Sequence, residues 1–213
     1  MLRTTLACLC FALAGGGALH GLTHGFQVWT DEGARRLEVA LKPVTVPDAV
    51  IDGPGIRAET LPELLQDGHV RVANFIYTNC LTVCLSLGTA FQQTQADLQQ
   101  ETELAGNDGV RLLSISFDGR RDDATALSGY GQRFGADANW WQFVRVPASS
   151  QEQALLRRLG VVVGPDGRGD YEHNAALLVF DTSGQLVRIF DMQERQLALN
   201  YARQLAKQAA ASS

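Results

Sequence analysis

A chain of 213 residues, 46% of them apolar, holds enough hydrophobic material for the core of one ordinary domain plus a leader, and disorder over most of its length is excluded. The formal charge of −5 and a pI near 5.3 argue against nucleic acid as a partner, because phosphate binding needs a basic face. The pairs Arg35-Arg36, Arg120-Arg121 and Arg157-Arg158 have acidic residues near them and read as solvated faces.

From the N-terminus, Leu6 to Leu19 carries neither charge nor strong polar group; it follows Arg3 and precedes a polar stretch opening at His20. Residues 1–29 therefore read as a signal peptide or a retained membrane anchor. Gly15-Gly16-Gly17 disfavours a buried helix of a cytosolic protein. With Arg3 on the inner flank, either version sends the chain from about Asp31 onward across the membrane. Residues 30–36 read as a linker, 37–209 as the folded domain and 210–213 as a frayed tail.

Within the domain, Pro43, Pro47 and Pro54 mark an extended entry segment, and Thr60 is positioned to cap a short helix through Leu65 that tolerates Pro62 in its first turn. Asp67-Gly68 turns into a buried strand from Val70 to Tyr77, followed by a helix from Thr82 to Leu98. After the break at Gly106 to Gly109, Val110 to Phe117 is a second buried strand. A helix from Thr125 to Phe134, a strand from Trp141 to Val146 and a helix from Ser150 to Leu159, opened by Ser149 or Ser150, follow. Ala175 to Phe180 and Gln185 to Phe190 form a hairpin about Asp181 to Gly184, and a helix from about Glu194 to Ala209 closes the chain. This order predicts an α/β, thioredoxin-like fold with an N-terminal extension. Trp140, Trp141 and Phe143 fit core and edge packing better than a docking patch, and Asp118 reads as a turn residue.

Four cysteines are present, but Cys8 and Cys10 fall in the leader, which leaves Cys80 and Cys84 where a strand hands over to a helix. At a helix N-terminus the unpaired N–H groups favour thiolate over thiol. The i, i+4 spacing stacks both sulfurs on one helix face, close enough for one soft metal ion or one strained disulfide. So short a loop gains little from a structural bridge, which points to redox or metal chemistry. A pair of thiolates leaves a soft ion in want of another donor, and the domain has only His69 and His173. His69 lies at the base of the first strand, the end away from Cys80, and reads as a surface turn residue. His173 lies in a polar, Gly-rich loop that runs into the Ala175–Phe180 strand, where a thioredoxin-like arrangement packs it beside the thiol helix.

Over roughly Pro47 to Lys207 the chain resembles the SCO/SenC proteins. The likeness rests on Phe75-Ile76-Tyr77-Thr78 before Cys80 and Cys84, on Leu112 through Asp118, on Tyr130 through Asp137, and on Tyr171-Glu172-His173 leading to Leu177, Val179, Asp181 and Gly184. The resemblance implies that Cys80, Cys84 and His173 bind copper in an exported thioredoxin-like domain. It further implies a metallochaperone on the periplasmic side of the inner membrane, delivering copper to the binuclear copper site of cytochrome c oxidase subunit II. Two thiolates and an imidazole suit Cu(I), and the same set holds Cu(II). Because exported thiols oxidise, a thiol reductant protein is also implied. The chain departs from the family pattern at Leu81 and Leu85, where proline is usual, at Gly119, where the family commonly has proline after Asp118, and at Asn174, where serine is more usual.

The competing reading is a thiol-disulfide oxidoreductase in which Cys80 attacks a mixed disulfide and Cys84 resolves it. Three intervening residues without Gly-Pro argue against an ordinary thioredoxin, and no Pro-x-x-x-Thr-x-x-Cys pattern supports a peroxidase. Exchange dispenses with a histidine, so His173 discriminates between the two.

Overall fold

The computed structural model describes the chain apart from residues 1, 24, 26, 27, 29, 80–82, 107, 108, 166, 168–170 and 213. It divides into two compact units, Met1–Leu41 and Lys42–Ser213.

In the first unit, helix α1 (Leu2–Leu22) is long and apolar enough to cross a membrane by length and composition, with a mean hydropathy of 1.3 over Thr4–Gly21. Helix α2 (Asp31–Leu41) occupies the segment read from composition as linker and domain start. Its charges support the helix: Arg35 and Arg36 both donate to Glu32 across one turn, and the Thr30 hydroxyl accepts the Gly33 N–H at 3.0 Å as a cap.

The second unit is built on a six-stranded sheet. Its strands are β1 (Val44–Thr45), β2 (Val70–Ile76), β3 (Val110–Ser116), β4 (Trp141–Arg145), β7 (Ala176–Phe180) and β8 (Gln185–Asp191), in the order β1-β8-β7-β2-β3-β4. Parallel β2, β3 and β4 are joined by α4 (Val83–Ala105) and α5 (Ala124–Arg133), while β7 runs antiparallel to β2 and β8 antiparallel to β7. Every residue of β2 and β7 is buried, as expected of strands covered on both faces. Short α3 (Leu61–Leu65) precedes β2, α6 (Ser149–Leu159) follows β4, and α7 (Arg195–Ala211) packs on β2, β7 and β8 and against α4. This is the thioredoxin-like arrangement predicted.

Punctuation explains most boundaries. Thr60 caps α3 by accepting the Glu63 N–H, Asp123 caps α5, and Gly160 ends α6 in the left-handed conformation that only glycine adopts freely. Three expectations are corrected. The cap of α6 is Ala148 with no side-chain bond, since both candidate serines lie inside the helix. The C-terminal helix runs through Ala211, two residues into the segment expected to fray. A two-stranded sheet, β5 (Val163–Pro165) with β6 (Tyr171–His173), stands where a plain loop was expected.

Candidate metal centre

The site forms where β2 and β3 end. Tyr77 and Thr78 continue β2 into buried positions, and Phe117 continues β3. The Tyr77 and Phe117 rings lie 5.2 Å apart, and Tyr171 meets both edge-on at 5.5 and 5.9 Å. His173 packs on Phe117 with ring centres 5.0 Å apart. An aromatic bed thus carries His173 at the strand ends from which the thiol segment departs. The Arg121 guanidinium rests over Tyr171 and donates to its hydroxyl at 3.2 Å.

His173 sits on strand β6, paired with Val163, rather than on the loop expected. Pairing holds its backbone more firmly than a loop would, and Asn174 reinforces this. The Asn174 amide donates to the Gly160 carbonyl at 3.0 Å, and its side-chain oxygen accepts the Val162 N–H at 2.8 Å. The departure at Asn174 therefore ties the end of β6 to the end of α6.

Both His173 ring nitrogens are buried, and neither has a hydrogen-bond partner among the described residues. Burying a polar group unpaired costs about 1–3 kcal/mol by mutational measures. Burial also pushes the imidazole pKa below its ordinary value near 6.5, so the ring is neutral at pH 7 and carries the lone pair a metal requires. The Tyr77 hydroxyl is a third buried polar atom on the same bed without a hydrogen-bond partner among the described residues. A neutral imidazole held in an apolar cradle fits a soft cation better than it fits proton storage.

Of the other site residues, Cys84 is the second residue of α4 as described, so its backbone is at a helix N-terminus. Its side chain and the whole of Cys80 lie outside the described residues, as does Leu81. Among the described residues no group of three or more metal-ligating side chains forms by itself. His69, expected as a surface turn residue, is half-buried just before β2, its Nδ1 3.2 Å from Asp67. Trp141 is core, while Trp140 lies at the edge beneath the Arg111 guanidinium.

Reading the sequence missed the support around the thiol segment. Asp122 is buried and accepts from the Thr78 N–H at 2.9 Å, the Thr78 hydroxyl at 2.6 Å and the Ser116 hydroxyl at 2.7 Å. Arg133 donates to the Thr78 carbonyl at 2.8 Å. The residue after Asp118 is equally constrained. The Gly119 N–H donates to Glu152 at 2.7 Å, and a Cβ at Gly119 would lie 2.2 Å from the Val146 carbonyl oxygen. Burial raises the Glu152 pKa, helped by Asp118 and Asp122, while the Gly119 bond opposes the rise. Proline, common at this place in the resembling family, is thus incompatible with this backbone. Gly119→Pro removes the donor and overpacks the turn, with an expected loss of about 1–3 kcal/mol, to be measured as a lowered urea midpoint at unchanged slope.

The fold is that of a thioredoxin-like domain, with His173 set beside the ends of its central strands. The chain belongs to the SCO1/SenC family, whose model matches residues 59–209. It is similar to the SCO1 protein homolog of Bacillus subtilis (strain 168), with 25% identity over 142 residues, covering 66% of this chain and 68% of that protein. The structure of Bradyrhizobium japonicum ScoI with copper bound superposes with a TM-score of 0.60 at 18% identity, covering 76% of this chain and 99% of that one. The structure of BsSco, described as a member of the Sco family of cytochrome c oxidase assembly proteins with a disulfide switch, gives a TM-score of 0.61 at 20% identity, covering 78% and 95%. At such identities these likenesses speak to fold.

Proposed function

We propose that this protein is a copper metallochaperone in which Cys80, Cys84 and His173 hold copper as cargo and pass it to an acceptor. The carrying observation is the pair of buried nitrogens of His173, without a hydrogen-bond partner among the described residues and packed on Phe117 just past the end of β3. Two thiolates and a neutral imidazole form a three-donor set for Cu(I), and transfer is a ligand exchange that leaves the copper oxidation state unchanged. Family membership and the copper-bound ScoI fold support the cargo. The description of BsSco as an oxidase assembly protein supports an acceptor in cytochrome c oxidase; the target proposed within it is the binuclear copper site of subunit II. Helix α1 supports export, as an anchor or cleaved signal, with the folded domain on the periplasmic side of the inner membrane. A thiol reductant protein keeps Cys80 and Cys84 open for loading.

One observation favours the competing thiol-disulfide oxidoreductase: the backbone of Cys84 lies at a helix N-terminus, which activates thiols without any metal. The two readings separate when reduced protein is titrated with Cu(I) and, in parallel, offered a disulfide substrate. A carrier retains close to one copper per chain and turns over the disulfide slowly. Weak copper retention with rapid turnover replaces the carrier with the reductase.

A further inference from the structure

We infer that Asp122, with Arg133, positions the thiol segment, clamping Thr78 so that Cys80 starts from a fixed point; its consequence for copper rests on the carrier reading above, its geometry does not. Thr78 lies just past the last residue of β2, where sheet pairing no longer governs the backbone. There the Thr78 N–H and hydroxyl are taken by the two carboxylate oxygens of Asp122, and its carbonyl by Arg133. All three polar groups of one residue are thus held from outside its own strand. Asp122 is anchored in turn, accepting the Ser116 hydroxyl at the end of β3 and donating its N–H to the Asp118 carbonyl at 3.0 Å.

The position of this clamp gives it a role beyond stability. Cys80 follows Thr78 by two residues, at most about 7–8 Å of chain, so freedom at Thr78 becomes freedom at the sulfur. No proline occurs from residue 79 to residue 85, so no pyrrolidine ring fixes φ there, and the β3–α5 connection and α5 hold the chain at Thr78. Partners beyond the ligands orient them, and removing such partners typically lowers metal affinity about 10–100-fold. Asp122→Asn keeps the shape but turns an amide NH2 toward a donor. Arg133→Met keeps most of the stem and removes the bond to Thr78.

The test compares full-length wild type with these two variants and with Ser114→Ala. The control removes a buried hydroxyl that bonds Asn74 and Trp141 but does not touch Thr78. Three readouts are used: Cu(I) affinity by competition with a chelator, amide exchange over residues 78–85 of the metal-free reduced protein, and iodoacetamide alkylation of Cys80 relative to Cys84. The clamp predicts affinity lowered about 10–100-fold in both variants and near wild type in the control. It also predicts exchange faster by about tenfold or more over 78–85, with β3 and β7 unchanged, and an altered alkylation ratio. Unchanged exchange and alkylation overturn it, as does an affinity loss that the control shares in proportion to stability. Should wild type fail to retain copper, the carrier reading falls, and the metal-free readouts still decide on the clamp.

Discussion

Replacing His173 by alanine is expected to lower Cu(I) affinity by more than about 100-fold, beyond the roughly 10–100-fold typical of removing an outer partner. The ring nitrogens find no hydrogen-bond partner among the described residues, and on the proposed reading a bound metal would take up the one free lone pair of the neutral ring and offset its burial. Competition titration of reduced wild type and His173→Ala measures the loss, and equal affinity in the two would remove the imidazole from the site. The same ring makes a pH prediction. Burial lowers the folded-state pKa, so the unfolded chain binds the proton first as pH falls through about 6.5. The neutral ring's full contribution is therefore present above that value and is lost toward more acid pH. Metal-free wild type should lose thermal stability between pH 7 and pH 5 more steeply than His173→Ala. Copper competes with protons at a ring that protonates late, so retention by wild type should persist to lower pH than with an exposed histidine. A melting series across this range checks the first statement, and copper retention over the same series checks the second.

Strands buried on both faces announce themselves as runs of Val, Ile and Leu, which is why β2, β3 and β7 were legible almost to the residue, while β8, only partly buried, was found through the turn at Asp181 to Gly184. The small sheet of β5 and β6 was not, because three-residue strands with Gly164 and Pro165 carry no period to detect. That omission placed His173 on a loop. The expectation that it joins a thiol segment about ninety residues upstream rests on the chemistry a soft ion needs. Helix α2 was hidden because its charges look like solvated linker until Glu32 is seen to bond Arg35 and Arg36. The Thr78 clamp had no local signal, since Asp122 and Thr78 lie 44 residues apart and Arg133 and Thr78 lie 55 apart. Long-range polar contacts of this kind depend on the sheet order, which brings the end of β2 beside the end of β3. Sequence thus offered candidate donors, while the contacts that hold the end of β2 are read only from the fold.

Arg71→Ala is expected to be the most destabilising single change in the domain that leaves the site untouched. Arg71 opens β2 with its side chain 1% exposed, unusual for an arginine in the middle of a sheet. Its guanidinium spends its donors locally: to the Leu64 carbonyl at 3.1 Å, to Gln142 at 2.8 Å and to Asp67 at 2.6 Å. One residue thus ties the last turn of α3, the turn after it and strand β4 to the central strand. Burial holds the Arg71 pKa below the usual arginine range, with Asp67 opposing the shift and Arg111 adding to it. Removing a partner from a buried ionic network costs about 3–5 kcal/mol, and because Asp67 is partly exposed and rehydrates, the low end applies. For a domain this size, about 3 kcal/mol lowers the melting temperature by about 6–12 °C. Arg71→Met fills the volume with apolar atoms and should lose less, because the Asp67 carboxylate turns to water while the cavity stays filled. Arg71→Lys keeps the charge but cannot reach three acceptors with a fork, and should fall between the two. Since Arg71 lies near the start of β2 and the thiol segment follows its far end in the chain, folded Arg71→Ala should bind Cu(I) as wild type does. Thermal melts with copper titration below the transition test both halves: a melting shift under about 2 °C removes the network from the stability account, and a lost copper affinity would show that the two ends of the strand are coupled.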